Sequence, residues 1–448
     1  MNSKLKTLLA ITSGALLLLF SAYINGFPIV YSDTSTYLAS GFELEAPFDR
    51  PIMYGLLLRL SSLNGISLWF TIFSQGLIVS ILIYKLLRTC VPKLKRINLI
   101  FISIIAFISL CTSASWTTSQ LIADIYTPIL ILSLIILIIG KSEKWFNILN
   151  YTIFFFATAT HISHVSFNII LLLSIIIIRQ SNLINLKERI KFRPLIICFS
   201  LSVLSILTMG SALSKSKHAF LMGALVEHGI AKKYLDENCE NSNYKFCAYK
   251  DSLPDKAWKF LWDESSPFYK MGGWKGTKKE FNEIIFNTLT RWEYINLHIK
   301  VSFEATIDQL TKFNIGDGNG AFLEGTLLHQ RINNYFKNET SQYESSLQNN
   351  KNLKFLNWYN TVMLSVVMVS ILILVLIIVK NKRQDKKLLS IILIVILGIL
   401  INAWACGTLA NAIDRLGTKV IWLIPLISII GVINIWDRKL LTRKTKLD

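Results

Sequence analysis

The chain has 448 residues, of which 52% are hydrophobic, and a formal net charge of +19 at pH 7. Almost uncharged runs of roughly 15 to 24 residues are typical of helices that cross a hydrocarbon core about 30 Å thick. They exclude an ordinary water-soluble domain, and the lack of an alternating pattern excludes a transmembrane β-barrel. We therefore predict an all-α polytopic membrane protein.

Ten membrane-spanning helices are predicted from the apolar runs, at residues 5–25, 66–87, 97–115, 121–140, 145–160, 165–178, 194–212, 356–379, 388–404 and 418–435. The first run also resembles a secretory signal, because Lys4 and Lys6 precede an apolar stretch that ends near Ser21 and Ala22. We interpret it as a retained helix.

Positive charge alternates along the chain. The N-terminus, the tail from 436 and the connections 88–96, 141–144, 179–193 and 380–387 together hold 23 Lys and Arg residues. The other short connections hold four, namely Arg50, Arg59, Arg415 and Lys419. The positive-inside rule therefore predicts that both termini lie in the cytoplasm. The net charge is interpreted as a topology signal and a contact with anionic membrane lipids, so no nucleic-acid partner is expected.

Residues 145–178 are interpreted as two short spans. One continuous helix here would be about 51 Å long, too long for the hydrocarbon core without a steep tilt. It would also place the later basic runs outside. A break is therefore predicted between His161 and His164.

The pattern divides the chain into three regions: an N-terminal membrane region (1–212) with a candidate catalytic first outer loop (26–64), a helical extracytoplasmic domain (213–355) and a C-terminal membrane region (356–448). In the domain, apolar residues recur at helical spacing. Cys239 and Cys247 stand alone there. In an oxidising compartment they can form a disulfide worth roughly 2.5 kcal/mol of unfolded-state entropy, and two free thiols are the alternative.

An acidic cluster follows the first predicted span. Residues 31–51, YSDTSTYLASGFELEAPFDRP, carry Asp33, Glu45, Asp49 and Arg50. The position of Asp33 near the membrane surface suits a general base that acts on a lipid-linked substrate. It equally suits a ligand of a Mg²⁺ or Mn²⁺ ion that neutralises a phosphate leaving group. The structural alternative is that Asp33 is the N-cap of a helix beside the membrane.

Arg50 lies in DRPIMYGLLLRL, which predicts a short amphipathic helix along the interface. Its guanidinium can hold a phosphate through two hydrogen bonds, and a salt bridge to Asp49 or Glu45 is the alternative. We include all three residues among the candidate substrate-binding residues.

His161, His164 and Asp124 are ionisable residues in otherwise apolar stretches. The two histidines share a helix face if the helix continues between them. Ionisable groups inside a membrane are costly unless they meet water, a metal or a partner, which favours a functional role. A structural role with satisfied hydrogen bonds is equally compatible.

Arg415 and Lys419 lie at the predicted outer end of the last span, against the charge bias. A phosphate or pyrophosphate would explain these cations, and pairing of Arg415 with Asp414 or Asp124 would explain Arg415 without a ligand. The sequence has no Walker, GxGxxG, GxSxG or HExxH motif. The free energy for any reaction must therefore come from another source, such as an activated lipid-linked donor.

The acid after the first span, the loop ending in DRPIMYGLLL and the late outer domain resemble the GT-C superfamily of polyprenyl-phosphate-dependent glycosyltransferases. The resemblance implies that Asp33 is the catalytic base or a metal-linked residue. Asp124 is the best match to a second-loop acid, and the WWDYG-type motif is missing. The segment HAFLMGALVEHGIAKKYLDENC, with FCAYKDSLP, FLWDESSPF and GGW after it, is also similar to a group of uncharacterised bacterial membrane proteins. This second resemblance implies a location in the bacterial inner membrane.

The expected function is transfer of a sugar from a polyprenyl-phosphate donor to a glycan or lipid acceptor on the outer face. Asp33 would activate the acceptor hydroxyl, while Arg50, His161, His164, Arg415 and Lys419 would hold the phosphate. A flippase or transporter of lipid-linked glycans is one alternative, and a polymerase or ligase of surface polysaccharide is another.

Overall fold

The computed structural model describes residues 2–181, 189–209, 212–381 and 385–444. Helices dominate these residues, which contain no β-strand. One isolated parallel bridge joins Ile29 to Gln120. The prediction of an all-α chain is confirmed at this level.

Among the described residues, the helices long and apolar enough to cross a membrane are Leu68–Cys90, Ile162–Gln180, Leu356–Lys380, Lys386–Leu409 and Asp414–Arg438. Each coincides with one of the ten predicted spans. Shorter apolar helices cover three more, Ile97–Cys111, Ala123–Ile139 and Phe192–Thr208. The structure therefore supports a membrane protein, and the number ten stays a prediction.

The helices of the N-terminal region are α1 (Ser3–Leu17), α2 (Phe20–Asn25), α3 (Ser32–Glu43), α4 (Met53–Ser61), α5 (Leu68–Cys90), α6 (Ile97–Cys111), α7 (Ala114–Thr118), α8 (Tyr126–Ile139), α9 (Lys144–Ala159), α10 (Ile162–Gln180) and α11 (Phe192–Ser205). A short 3₁₀ turn, Ala123–Ile125, precedes α8. The two spans are separate helices, because α9 ends at Ala159 and α10 begins at Ile162. The break lies at Thr160 and His161, slightly earlier than predicted, and His164 is inside α10.

The central stretch forms α12 (Ala212–Glu227), α13 (Ile230–Asn238), α14 (Ala257–Trp262), α15 (Pro267–Lys270), α16 (Gly273–Gly276), α17 (Lys278–Thr290), α18 (Trp292–Thr311), α19 (Leu327–Tyr335) and α20 (Thr340–Glu344). Buried residues between Ala219 and Tyr294 make a small hydrophobic core of their own. Ile315, Leu328 and Tyr343 belong instead to the main core. The predicted domain 213–355 thus contributes to two cores.

The chain closes with α21 (Leu356–Asn381), α22 (Lys386–Leu409), α23 (Asp414–Ile421) and α24 (Leu423–Lys444). The centre of the bundle is α8, in which every residue is buried. A helix that is apolar on all sides must be covered on all sides. Helices α5, α9 and α22 pack around it, so the residues just before α8 lie at the middle of one end of the bundle.

Basic connections meet at the opposite end. Lys191 Nζ donates a hydrogen bond to the carbonyl oxygen of Gly140, and Lys387 Nζ donates one to that of Thr89. The connections after α5, α8, α10 and α21 therefore lie together. One end of the bundle is therefore basic. The other end carries the segments that precede α3, α4, α8 and α23.

Candidate functional site

Charged residues from distant parts of the sequence meet at the end of the bundle that holds the start of α8. They are Asp33 in the first turn of α3, Arg50 before α4, Asp124 before α8, and Arg415 and Lys419 in α23. We call these five residues the charged cluster. All five were among the site residues proposed from the sequence.

Extended backbone holds the first loop beside the start of α8. Ile29 N donates to the carbonyl of Ser119, and Leu121 N donates to the carbonyl of Ile29, both at 2.9 Å. The side chain of Gln348 fixes the other edge, because its Nε2 donates to Val30 O at 2.7 Å. These bonds place the beginning of α3 next to Asp124.

Two arginines share the Asp33 carboxylate. Arg50 Nη1 lies 3.0 Å from Oδ1, and Arg415 Nη1 lies 3.1 Å from Oδ2. Arg50 Nη2 also lies 2.6 Å from Asp49 Oδ2. The Asp33 side chain is 30% exposed, so its contacts with the two arginines lie at an accessible edge of the protein.

Asp124 holds the other two cations less tightly. Its Oδ2 is 3.6 Å from Arg415 Nε, and its Oδ1 is 3.9 Å from Lys419 Nζ. Both separations exceed hydrogen-bond length. Asp124 Oδ2 and Arg415 Nε are buried and have no hydrogen-bond partner among the described residues. Because an unsatisfied buried polar group costs about 1–3 kcal/mol, the cluster retains capacity for a polar ligand.

Aromatic rings support both guanidinium groups. Arg50 lies over Tyr37 and Arg415 over Tyr31, each at 5.2 Å from the ring centroid. Such contacts orient a guanidinium while its edge stays free for hydrogen bonds.

A glycine-rich loop, residues 316–320, closes one side of the cluster. Asp317 Oδ2 accepts a hydrogen bond from Arg415 N at 3.2 Å. Gly318 has φ +75° and sits so close to Tyr31 that a Cβ would lie 3.2 Å from the ring. Only glycine combines this backbone conformation with that contact at no steric cost.

The arginines keep Asp33 ionised. Burial raises the pKa of Asp33, but the charges of Arg50 and Arg415 lower it more, so it ends below its ordinary value. Burial also raises the pKa of Tyr31 and Tyr37, which keeps both phenols protonated. While it is paired with both arginines, Asp33 is a stable anion and a weak base.

The two histidines have different environments. His164 is buried, with Nε2 at 3.0 Å from Thr127 Oγ1 and Nδ1 at 2.9 Å from Ala157 O, so its structural alternative fits the geometry. His161 is the N-cap of α10, since its Nδ1 accepts from Ser163 N at 3.2 Å. Burial, and then the charges of Lys419 and Arg50, lower the pKa of His161 to about 3. His161 therefore adjoins the charged cluster as a neutral imidazole.

Two expectations from the sequence differ from the structure. Glu45 is exposed and forms no ion pair among the described residues, in which Arg50 pairs with Asp33 and Asp49 instead. The N-cap of α3 is Tyr31 rather than Asp33, and Tyr31 N donates to Thr34 Oγ1 at 2.9 Å. The helix start is thus satisfied without the Asp33 carboxylate, which faces the arginines.

The donor set fits an anion better than a Mg²⁺ or Mn²⁺ ion. The described residues contain no group of three or more His, Cys, Asp or Glu side chains placed to hold a metal. Asp33 and Asp124 each face two cationic side chains, which leaves no cluster of free carboxylate oxygens.

Cys239 and Cys247 lie in the small core, away from the charged cluster. They form a disulfide with a Cα–Cα distance of 5.7 Å. Their part in this protein is to fix the connection after α13.

The residues that hold the cluster in place could not be identified from the sequence. Tyr31, Tyr37 and Asp317 are partners that only the fold brings together. Glycines on both sides of Asp317 are typical of a turn, but nothing in the sequence connects that turn to Arg415. Gln120, whose Nε2 donates to Tyr31 Oη at 3.2 Å, gave no signal at all.

Comparisons with protein-family models, with curated proteins and with solved structures found no match to this chain.

Proposed function

We propose that this chain is a membrane glycosyltransferase that moves a sugar from a polyprenyl-phosphate donor to a glycan or lipid acceptor at the outer face of the bacterial inner membrane. The observation that carries the proposal is the shared carboxylate, with Asp33 at 3.0 Å from Arg50 and 3.1 Å from Arg415. A group that can take a proton and groups that can hold a phosphate thus occupy one place.

The cations are suited to a phosphate. Guanidinium groups bind phosphate oxygens through paired hydrogen bonds, and a lysine adds a point charge. Arg415 Nε has no hydrogen-bond partner among the described residues. The Lys419 side chain is only 5% exposed, and its nearest carboxylate oxygen is 3.9 Å away. A phosphate at these groups would supply the acceptors that Asp124 supplies incompletely.

Donor binding would activate Asp33. The phosphate competes with its carboxylate for the N–H groups of Arg50 and Arg415. Each hydrogen bond that the phosphate takes removes a cause of the lowered Asp33 pKa, which then rises toward its ordinary value. The base therefore becomes stronger only when the donor is in place.

The proposed reaction is one inverting displacement. The acceptor O–H gives its proton to the Asp33 carboxylate, and its oxygen forms a bond to the anomeric carbon of the sugar. The bond from that carbon to the phosphate oxygen breaks, and its electron pair leaves with the phosphate. The phosphodiester charge of one rises to nearly two in the monoester, so the cations stabilise the transition state more than the bound donor.

The proposed topology places this cluster where a lipid phosphate lies. The ten spans, the cytoplasmic termini and the extracytoplasmic domain belong to the proposal. The basic connections at the opposite end of the bundle support it, because lysine and arginine concentrate on the cytoplasmic side. The cluster then faces outward at headgroup level.

The test compares Asp33→Asn with Glu45→Gln. Removing a general base lowers turnover by about 10² to 10⁴-fold, so we expect Asp33→Asn to lose transfer from polyprenyl-phosphate sugars in proteoliposomes. Glu45→Gln changes an exposed carboxylate in the same loop and should transfer normally. Native mass spectrometry with polyprenyl phosphate reports binding separately.

The outcomes distinguish the base from the phosphate site. Asp33→Asn should still bind polyprenyl phosphate, whereas Arg415→Gln should bind it at least about tenfold more weakly. A folded Asp33→Asn variant that transfers sugar at the normal rate would remove Asp33 as the base. Unchanged phosphate binding by Arg415→Gln would remove the phosphate site.

A further inference from the structure

Two adjoining apolar cavities form a trough beside α18. The first has a volume of about 300 Å³ and lies between α12, α18 and the end of α22. The second has a volume of about 710 Å³ and lies between α10, α18 and α22. Ile299, Ser302 and Trp404 line both cavities, so the trough is continuous.

The walls of the trough suit a hydrocarbon chain. Ile299 and Phe303 are 63% and 67% exposed although both are large and apolar. Exposed apolar side chains gathered in one place mark contact with an apolar partner. Helices α10 and α22 are long and apolar enough to cross a membrane, so the trough opens at the depth of lipid chains.

One end of the trough is polar. His298 Nε2 is buried and has no hydrogen-bond partner among the described residues. His228 Nε2 lies 3.1 Å from Gly407 O, which assigns the proton to Nε2 and leaves Nδ1 as an acceptor. Ser302 and Thr408 add two hydroxyl groups at 3.1 Å from each other. These groups lie at the last turn of α22, where a span meets the interface.

We propose that this trough binds an uncharged lipid alcohol, with its hydrocarbon chain between α10, α18 and α22 and its hydroxyl group at His228 and His298. The inference goes beyond the proposed sugar transfer and does not depend on it. If transfer to a lipid occurs, such an alcohol is the right chemical class of acceptor.

The polar end is suited to a hydroxyl rather than a phosphate. No Lys, Arg, Asp or Glu lines either cavity. Burial lowers the pKa of His298, so its imidazole is neutral at neutral pH. The neutral His298 imidazole and the nearby hydroxyl groups can exchange hydrogen bonds with an alcohol, but they cannot compensate a buried anionic charge.

The charged cluster lies on a different face of α22. Asn402 Nδ2, on that face, donates to Leu416 O in α23 at 2.8 Å, whereas Trp404 and Thr408 face the trough. The cations that could bind a phosphate therefore lie in the charged cluster, and no Lys or Arg lines the trough.

The experiment measures binding of radiolabelled dioleoylglycerol to the full-length protein in detergent. We expect one molecule per chain. Ile299→Trp fills the trough at a largely exposed position and should weaken binding at least about tenfold, and His298→Phe keeps the ring and should weaken it about two- to tenfold. The matched control is Val369→Trp, which fills another apolar cavity, lined by Phe107 and Ile429 and 55% exposed at Val369, and should not change binding.

Each other result overturns the proposal. Equal loss with Val369→Trp would mean general lipid adhesion, and no loss with Ile299→Trp would remove the trough as the site. Tighter binding of dioleoyl phosphatidic acid would contradict the uncharged headgroup. If His298→Phe does not fold, a photoactivatable diacylglycerol must label peptides of α10, α18 or α22 in the wild type, and labelling elsewhere would refute the site.

Discussion

At the scale of single residues, the cluster combines groups that are costly to bury. The Arg415 and Asp33 side chains are 21% and 30% exposed, and ion pairs that keep contact with water add little net stability. The contact between Asp33 and Arg415 joins residues 382 positions apart. Asp124 Oδ2 and Arg415 Nε have no hydrogen-bond partner among the described residues, which is compatible with the proposed phosphate site.

His161 should make the protein sensitive to acid. Its pKa is about 3 in the folded protein and about 6.5 in an unfolded chain. Between these values the unfolded state binds more protons, so stability falls as the pH is lowered from 6.5, by at most about 1.4 kcal/mol per pH unit. His161→Asn keeps an N-cap acceptor and should flatten this decline in apparent melting temperature between pH 7.5 and 5. If the apparent melting temperatures of both proteins declined equally with falling pH, the pKa of His161 would not be lowered by folding.

The sequence predicts the ionisable members of the site better than their supports. Ionisable residues next to apolar segments are easy to identify, because a charge in apolar surroundings is costly unless it is paired or functional. They include Asp33, Asp124, Arg415 and Lys419. Tyr31 does not stand out, because aromatic residues near a membrane surface are common. Its role depends on a cation–π contact that joins the two ends of the chain, and no local pattern encodes such a contact.

At the scale of elements, the position of Arg50 depends on how closely α3 and α4 pack. A Cβ on Gly41 would lie 2.2 Å from the carbonyl oxygen of Gly55, so the two backbones are in direct contact. Gly41→Ala should separate the helices and draw Arg50 away from Asp33. We expect a loss of about 1–3 kcal/mol from overpacking, seen as a lower apparent melting temperature, and a loss of sugar transfer.

The control for this contact is Gly320→Ala. A Cβ there would meet its nearest heavy atom, in Phe322, at 3.8 Å, so both readouts should stay close to wild type. Helix propensity favours alanine over glycine inside α3. A gain in stability from Gly41→Ala would therefore mean that propensity outweighs the contact and that the packing of α3 on α4 is looser than described.

Helix positions follow from hydropathy, but helix ends do not. The five long apolar helices coincide with predicted spans. The predicted span 97–115 ends early, because α6 stops at Cys111 and Thr112 is extended. Ser113 Oγ then donates to Thr418 O at 2.7 Å. Polar contacts with another segment set this end, and hydropathy averaged over a window cannot detect them.

At the scale of the whole molecule, the two ends of the helix bundle carry different sets of charged residues. Basic connections meet at one end, and the charged cluster lies at the end where α8 begins. In the proposed topology, the positive-inside rule puts these two ends on different sides of the membrane, and the proposed lipid-linked donor would bind at the outer one. The long-range pairing of residues 29 and 120, which holds the cluster together, could not be predicted from periodicity.

Cysteine labelling tests this orientation. In a Cys111→Ser background, in which the remaining free cysteines are buried, Glu45→Cys and Glu324→Cys should react with a membrane-impermeant maleimide in intact spheroplasts. Lys93→Cys and Glu143→Cys should react only after permeabilisation. All four positions are exposed, so reactivity reports the side of the membrane and not burial. Labelling of Lys93→Cys in intact spheroplasts would invert the topology and place the charged cluster in the cytoplasm, where an outer-face transferase could not work.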